Sequence, residues 1–430
     1  MMRNGLSELS YIKLVQRNAA FRYLWLGQIV SLLGDWFNLI ACAALISRLT
    51  HSGIAVGGLF VVRLLAAFLV SPVAGVVADR YNRKHILVVA DIVRGIVVLG
   101  FLLVREAEDV WLLYALTAVQ LGISSFFFPA RNAILPSIVD PRDLGAANAL
   151  SSATWSVMLA FGTALGGLVA GGVGIYTAFW VDSLSFFLSA VLIARVAYEV
   201  ILEAEGGKRR IPDALRKYVE GLKYLRDHGH VLIIVLHKAA ITLTTSGALQ
   251  VIQVALGERR FVIGQGGGIG MGIMFAVVGV GTGIGPIIAR RYTEDQNAAL
   301  RRAIAVGFVM IVLGVTIIAS LANFPTVLFG ILLRGVGGGI VWVFSTQLLM
   351  QLVPADVRGR VFASEFALFT LMGAVSAAAT GWAIDAPILG LSRTLWVLAG
   401  LCAVPAALWG ICVWKGTICP FNDEDRQSDE

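Results

Sequence analysis

The sequence contains few charged residues. Asp, Glu, Lys and Arg make up only 14% of its 430 residues, whereas soluble domains carry about 25%. Apolar residues account for 58%, and the mean hydropathy is +0.82. A chain of this composition cannot surround a core with polar surface, so an ordinary soluble fold is excluded.

Cysteine and histidine are scarce as well. The four cysteines and five histidines are scattered, without the CxxC or His-rich spacings of zinc sites and disulfide frameworks. The glycine runs lack the Gly-Lys-Ser/Thr ending of a phosphate-binding loop. The sequence therefore predicts no metal, no cofactor and no ATP hydrolysis by this chain, and a membrane-embedded enzyme or sensor is disfavoured.

A cleavable signal peptide is also missing from the sequence. The first twenty residues include Arg3, Glu8, Lys13 and Arg17, and they lack the apolar core and small-residue site of such a signal. We therefore expect the N-terminus to stay cytoplasmic and the first apolar segment to act as the insertion signal.

Long apolar runs dominate the rest of the chain. About 20 apolar residues suffice for one helix to cross a bilayer, and twelve runs of roughly this length or longer can be distinguished. They predict helices at 21–47, 53–78, 85–105, 110–130, 145–172, 174–197, 231–256, 267–289, 302–321, 324–350, 360–384 and 391–414.

Basic residues fall mainly in alternate loops. With the N-terminus inside, the predicted external loops hold only Arg48, Arg105, Arg259, Arg260 and Arg393 of the 34 Lys and Arg. This asymmetry is what the positive-inside rule requires. It places both termini in the cytoplasm and predicts a multi-pass protein of the inner or plasma membrane. The net charge of +7 is thus explained by orientation in the lipid bilayer, and no nucleic-acid partner is predicted.

Two sequence marks repeat at nearly the same offset. Ala78-Asp-Arg-Tyr recurs as Ala289-Arg-Arg-Tyr, 211 positions later, and Pro141-Arg-Asp-Leu recurs as Pro354-Ala-Asp-Val, 213 positions later. The repeat predicts an all-α membrane protein of twelve transmembrane helices in two pseudo-symmetric six-helix bundles. We place the N-terminal half at 1–197, a cytoplasmic linker at 198–230, the C-terminal half at 231–414 and a cytoplasmic tail at 415–430.

The most specific motif follows the second predicted helix. Gly75, Asp79, Arg80, Arg83 and Lys84 resemble the loop between helices two and three of the major facilitator superfamily, although Asn82 stands where the family usually has Gly. The resemblance implies the major facilitator fold. It also implies that Asp79 clasps the start of helix eleven, around Arg358 to Ala363, and thereby locks a cytoplasmic gate.

Two further resemblances point to export. Gly162, Gly166 and Gly167 look like a helix-five motif of drug:proton antiporters, with Thr163 in place of its proline, although packing glycines explain them equally well. The loops around Arg131 and Arg358 resemble those of the macrolide-efflux and enterobactin-exporter-like branch of the superfamily. We count both arginines among the gate residues.

Polar residues within the first two predicted helices are the main candidates for coupling and substrate binding. Inserting a charged side chain at the bilayer centre costs roughly 2.5–3.5 kcal/mol. Each charged residue within a predicted membrane helix therefore needs a structural or functional explanation. Gln28, Asp35 and Asn38 share one helical face, and Arg63 reaches a depth similar to that of Asp35. A pair between Asp35 and Arg63 either fixes the helix register or forms a proton-coupling and substrate-binding site.

Other intramembrane charges allow several interpretations. Arg94 and Asp182 lie at comparable depths, with Asp91 nearby, and we predict a structural buried pair between Arg94 and Asp182. Lys238 and Glu365 either pair or extend to the membrane surface. Arg334 has no evident acidic partner, so it either binds backbone carbonyls or attracts an anionic substrate group.

Together these features predict a secondary active transporter, not an enzyme. The resemblance implies export of bulky amphipathic small molecules, such as drugs, macrolides or siderophore-like compounds, by proton antiport with alternating access. The expected partners are the substrate, protons and the bilayer, and the chain is expected to function as a monomer. A lipid or lysophospholipid flippase of the same fold is the alternative.

Overall fold

Helices make up nearly all of the structure. A computed structural model describes residues 12–198, 220–293 and 297–414, apart from the side chains of Pro72, Gly75, Asp79, Ala355 and Asp356. Twelve described segments are long and apolar enough to cross a membrane, which confirms the predicted number. They are α1 (Ala19–Thr50), α2 (Gly53–Arg80), α3 (Arg83–Gly100), α4 (Val110–Ile138), α5 (Leu144–Leu168), α6 (Ile175–Ala194), α7 (Gly229–Arg259), α8 (Gly268–Arg290), α9 (Asn297–Ala319), α10 (Phe324–Leu352), α11 (Ala355–Asp385) and α12 (Gly390–Trp414).

Short polar side chains mark several helix starts. Asn18, Ser52 and Asn323 accept hydrogen bonds from backbone N–H groups in the first turns of α1, α2 and α10. Asn82 does the same for α3, because its Oδ1 accepts from Lys84 N at 3.0 Å and from His85 N at 3.3 Å. The asparagine that departs from the family motif is therefore the N-cap of α3.

The contacts divide the chain into two compact units. The first comprises Met1–Ala214 with Gln253–Ala276, and the second comprises Leu215–Ile252 with Val277–Glu430. This division differs from the sequence repeat only near the centre of the chain, where the end of α7 and the start of α8 pack with the first unit. The predicted tail and residues 199–219 of the predicted linker lie outside the described residues.

Each unit has its own packing order. In the first unit, α1 packs against α5 and α6, α2 packs against α4, and α3 packs against α4 and α6. In the second unit, α9 packs against α10 and α12, while α11 packs against the middle of α7. There α7 is interrupted by a π-helical segment, Thr242–Ser246, an irregularity that often marks functional sites.

Candidate functional site

A buried arginine organises the polar residues of the first unit. Arg94 of α3 is 1% exposed and forms ion pairs with Asp91, one turn earlier on the same helix, and with Asp35 of α1. The contact with Asp35 joins Nη1 to Oδ2 at 3.5 Å. One guanidinium group thus forms ion pairs with two carboxylates, which lie on two different helices.

The surroundings of Arg94 hold it in place. It donates to the hydroxyl groups of Ser31 at 3.1 Å and Ser124 at 3.4 Å. Its guanidinium carbon lies 4.3 Å from the ring centroid of Phe186 and 5.1 Å from that of Phe127, which are favourable distances for a cation above an aromatic ring. Arg94 is therefore fixed by contacts from four helices.

The two carboxylates bound to Arg94 differ in their access to solvent. The Asp91 side chain is 0% exposed, and its Oδ2 accepts from Ser189 at 2.6 Å. The Asp35 side chain is 23% exposed and has only the longer contact with Arg94. Asp91 is thus a fixed structural partner, whereas Asp35 is the member of this cluster whose side chain keeps accessible surface.

The predicted pair between Arg94 and Asp182 is wrong. Asp182 is fully buried on α6, and neither of its carboxylate oxygens has a hydrogen-bond partner among the described residues. Arg94 is instead bound to Asp91 and Asp35, since the spacing of three places Asp91 beside it on one helical face. The i, i+3 spacing was visible in the sequence and could have identified this partner.

Asp182→Asn is expected to fold as well as the wild type. A buried charge without a partner is destabilising, so the neutral, equally large amide removes no favourable ion pair. The yield of monodisperse protein in detergent and its melting temperature measure this effect. A loss of more than half of the folded protein would show that Asp182 has a structural partner after all.

The other polar residues of α1 and α2 are placed differently from the prediction. Gln28 is buried and donates to the backbone carbonyl of Ser151 at 3.3 Å, and Asn38 is buried beside Cys42. Both side chains are therefore covered by protein, whereas Asp35 on the same helical face keeps accessible surface. Arg63 lies near Asp35 but forms no ion pair with it in the described part of the chain, so the predicted pairing of these two residues is wrong.

In the second unit, Lys238 and Glu365 form a buried ion pair. Lys238 of α7 is 3% exposed and Glu365 of α11 is 7% exposed. Lys238 also donates to Thr346 Oγ1 at 2.9 Å, and its Nζ lies 3.8 Å from the ring centroid of Trp342. Of the two alternatives left open by the sequence, pairing is the one observed.

Arg334 of α10 stands apart from this pair. Its Nε is buried without a hydrogen-bond partner, and no carboxylate forms an ion pair with it within the described ranges. The backbone around it is tightly packed, because a Cβ atom placed on Gly314 would lie only 2.6 Å from Arg334 N. The backbone of Arg334 is thus held in place, and its guanidinium has no carboxylate partner among the described residues.

The structure describes the predicted gate residues only in part. The side chains of Gly75 and Asp79 lie outside the described residues, so the predicted clasp on the eleventh helix remains a prediction. Arg83 donates to the backbone carbonyl of Ala133 at 3.0 Å, and Arg358 donates to that of Val353. The remaining gate residues are the exposed Arg80, Lys84 at the start of α3, and the buried Arg131.

The helix-five glycines lie at close helix contacts. Gly162 and Gly166 face Trp36 and Phe37 of α1, and a Cβ atom at Gly167 would lie 2.6 Å from Gly272 Cα of α8. Small residues permit such backbone approach. Their observed contacts are packing contacts.

Sequence reasoning missed a polar cluster at the end of α1. Glu258 at the end of α7 accepts a hydrogen bond from Ser47 and binds His51 Nδ1 through its Oε1 at 2.8 Å. Arg259 donates to the backbone carbonyl of His51 at 2.6 Å. These residues join the ends of two helices that are far apart in sequence, and no sequence pattern pointed to the contact.

Comparisons with known proteins agree with this architecture. YfiS, an uncharacterized MFS-type transporter of Bacillus subtilis (strain 168), is 28% identical over 364 residues, covering 82% of this chain and 84% of YfiS. BacE of the same organism, named as a candidate bacilysin exporter, is 27% identical and covers 72% of this chain and 77% of its own length. The crystal structure of a bacterial homologue of the human lysosomal transporter Spinster aligns with a TM-score of 0.71 at 15% identity, over 92% of this chain and 96% of that one.

The family assignment rests on a match that covers most of the sequence. The model described as Major Facilitator Superfamily matches residues 24–377, from α1 into α11. That span contains the Arg94 cluster with Asp35 and Asp91, the Lys238–Glu365 pair, the helix-five glycines and the motif after α2. This twelve-span membrane protein therefore belongs to the Major Facilitator Superfamily of transporters.

Proposed function

We propose that this protein exports bulky amphipathic small molecules by proton antiport, with alternating access and with Asp35 as the proton-binding group. The observation that supports it most is the unequal pair of carboxylates on Arg94. Asp91 is fully buried and fixed, while Asp35 is partly exposed and held by one longer contact. A coupling group must exchange its proton with water, and of the two carboxylates on Arg94, Asp35 is the one with accessible surface.

Protonation of Asp35 changes how strongly it is bound to Arg94. As a carboxylate, Asp35 attracts the guanidinium; once protonated, it loses most of that attraction. Arg94 keeps its bonds to Asp91 and Ser31 in either state. The proton can thus release the Asp35–Arg94 ion pair without leaving a buried charge unpaired, while the hydrogen bond to Ser31 still joins α3 to α1.

Alternating access needs contacts that close one end of the protein at a time. The cluster of Ser47, His51, Glu258 and Arg259 supplies such a contact at the end that the charge distribution predicts to be external. The motif with Asp79 and Arg83 is proposed to act at the cytoplasmic end. With both termini in the cytoplasm, protons would enter the cell while the substrate leaves it, and the two movements would be coupled.

Relatives support the direction of transport. BacE is named for export of bacilysin, and the loops around Arg131 and Arg358 resemble those of macrolide and enterobactin exporters. We propose that the protein belongs to this efflux branch and acts as a monomer in the plasma membrane. The substrates tested first should be macrolides, other toxic amphipathic compounds and siderophore-like molecules.

The decisive experiment measures transport against a gradient in everted membrane vesicles. Cells with and without the protein are first screened against a panel of toxic compounds that includes macrolides, and a compound to which the protein gives resistance is radiolabelled. Vesicles with an acidic lumen are expected to accumulate it at least several-fold above vesicles that lack the protein. Collapse of the pH gradient with nigericin is expected to abolish the accumulation.

Two results would contradict the proposal. Accumulation that persists after nigericin treatment would exclude proton coupling. Failure to move any soluble compound, together with protein-dependent transfer of a fluorescent lysophospholipid between leaflets, would identify the flippase alternative instead.

A further inference from the structure

A cavity lies within the second unit, beside the π-helical segment of α7. It encloses about 360 Å³ of empty space, part of it open to solvent. The part of it that a water-sized sphere can enter is about 50 Å³, more than one water molecule needs and enough for a small polar group such as a carboxylate. Its walls come from α7, α9, α10 and α11: Lys238, Ile241, Thr242, Thr245, Ser246, Ile311, Arg334, Gly338, Val341, Trp342 and Phe369.

The charged groups that line this cavity are cations. Arg334 has a buried Nε without a partner, and Lys238 uses two of its three N–H donors on Glu365 and Thr346. Glu365 itself is not among the lining residues. The cavity is therefore lined by two cations, and one of them, Arg334, has no paired carboxylate in the described part of the chain.

Two hydroxyl groups of the cavity, those of Thr242 and Thr245, already donate to backbone carbonyls of α7. Thr242 Oγ1 donates to the carbonyl of Lys238 at 2.8 Å, and Thr245 Oγ1 donates to that of Ile241 at 2.6 Å. An apolar wall adjoins the charged one, because the rings of Trp342 and Phe369 meet edge to face with centroids 4.9 Å apart. Cationic and aromatic surfaces thus lie side by side.

We infer that this cavity binds the carboxylate of an amphipathic substrate, with Arg334 as its main ligand and the Trp342–Phe369 wall as the contact for the adjacent apolar part. A planar guanidinium suits a carboxylate, since two parallel N–H···O bonds can form. Lys238 adds its third donor while remaining paired with Glu365. The inference rests on the proposed function, because it names the substrate class of that transporter.

Binding of a matched pair of fluorescent probes tests the inference. Dansyl-leucine carries a carboxylate, and dansyl-leucinamide is its neutral counterpart. Purified full-length protein in a neutral detergent is titrated with each probe in low-chloride buffer, without any ion gradient. We expect the wild type to bind the acid at least tenfold more tightly than the amide, and Arg334→Gln to reduce this preference to within twofold.

Two variants act as controls. Arg302→Gln removes a charge from an exposed position of α9 and is expected to keep the preference. If Arg334→Gln does not fold, Arg334→Lys retains the charge without the planar fork and is expected to weaken acid binding at least fivefold while amide binding is unchanged.

Equal binding of acid and amide by the wild type would overturn the inference, and so would a preference that survives in Arg334→Gln or Arg334→Lys. Its failure is separable from failure of the proposed function. A preference for the acid without proton-driven transport would refute proton coupling alone, whereas proton-driven transport without this preference would refute the carboxylate site alone.

Discussion

Asp35→Asn is expected to abolish proton-driven uphill transport while the protein remains folded. The amide cannot release or take up a proton in the working range, so substrate exit is no longer linked to proton entry. Folding should persist, because Arg94 keeps its contacts with Asp91, Ser31 and Ser124. The measurement is accumulation in everted vesicles as a function of the imposed pH gradient.

In that assay the wild type should accumulate substrate in proportion to the gradient, whereas Asp35→Asn should only equilibrate it. Glu108→Gln is the matched control, since Glu108 is an exposed acidic residue in the short segment before α4, and it should behave like the wild type. If Asp35→Asn still concentrates substrate with the gradient, Asp35 is not the coupling group. Glu365, the paired carboxylate of the second unit, is then the next candidate.

Arg94→Met is expected to eliminate most of the folded protein. It leaves the carboxylate of Asp91 at 0% exposure without its cation. Removing one partner of a buried ion pair typically costs about 3–5 kcal/mol, against a total stability of about 5–15 kcal/mol for folded domains. The fraction that elutes as a monodisperse peak after detergent extraction, and its melting temperature, report the loss.

The double variant Arg94→Met/Asp91→Asn separates charge from packing. It removes both members of the fixed pair and keeps similar side-chain volumes, so we expect it to recover most of the folded protein. It should still fail in uphill transport, because protonation of Asp35 can no longer break an ion pair with Arg94. A single Arg94→Met variant as stable as the wild type, or a double variant no better than the single, would contradict the role of this pair.

Several parts of the site could be predicted from the sequence because they depend on local pattern. The polar face of α1 follows from helical periodicity, and the pairing of Lys238 with Glu365 was one of two alternatives that depth in the membrane allowed.

The sequence was insufficient to predict which charged residues of different helices form ion pairs. Depth alone made Asp182 a candidate for Arg94 and Arg63 a candidate for Asp35. The choice depends on which helices are neighbours and how each is rotated about its axis. The packing of α1 and α6 on one another places Asp182 against Gly34, while the guanidinium of Arg94 extends to Asp35 and Asp91.

The sequence by itself determined the membrane location, the number of helices and the family, because each depends on properties summed along the chain. Hydropathy over about 20 residues decides whether a segment spans the bilayer, and no neighbour is needed to evaluate it. Only the tertiary structure decided that Arg94 also binds Asp35, that Glu258 meets Ser47 and His51, and that Arg334 lines a cavity with no carboxylate among its lining residues. Such contacts join residues from different helices, and directional bonds of about 3 Å depend on helix rotation and register that composition and periodicity do not define.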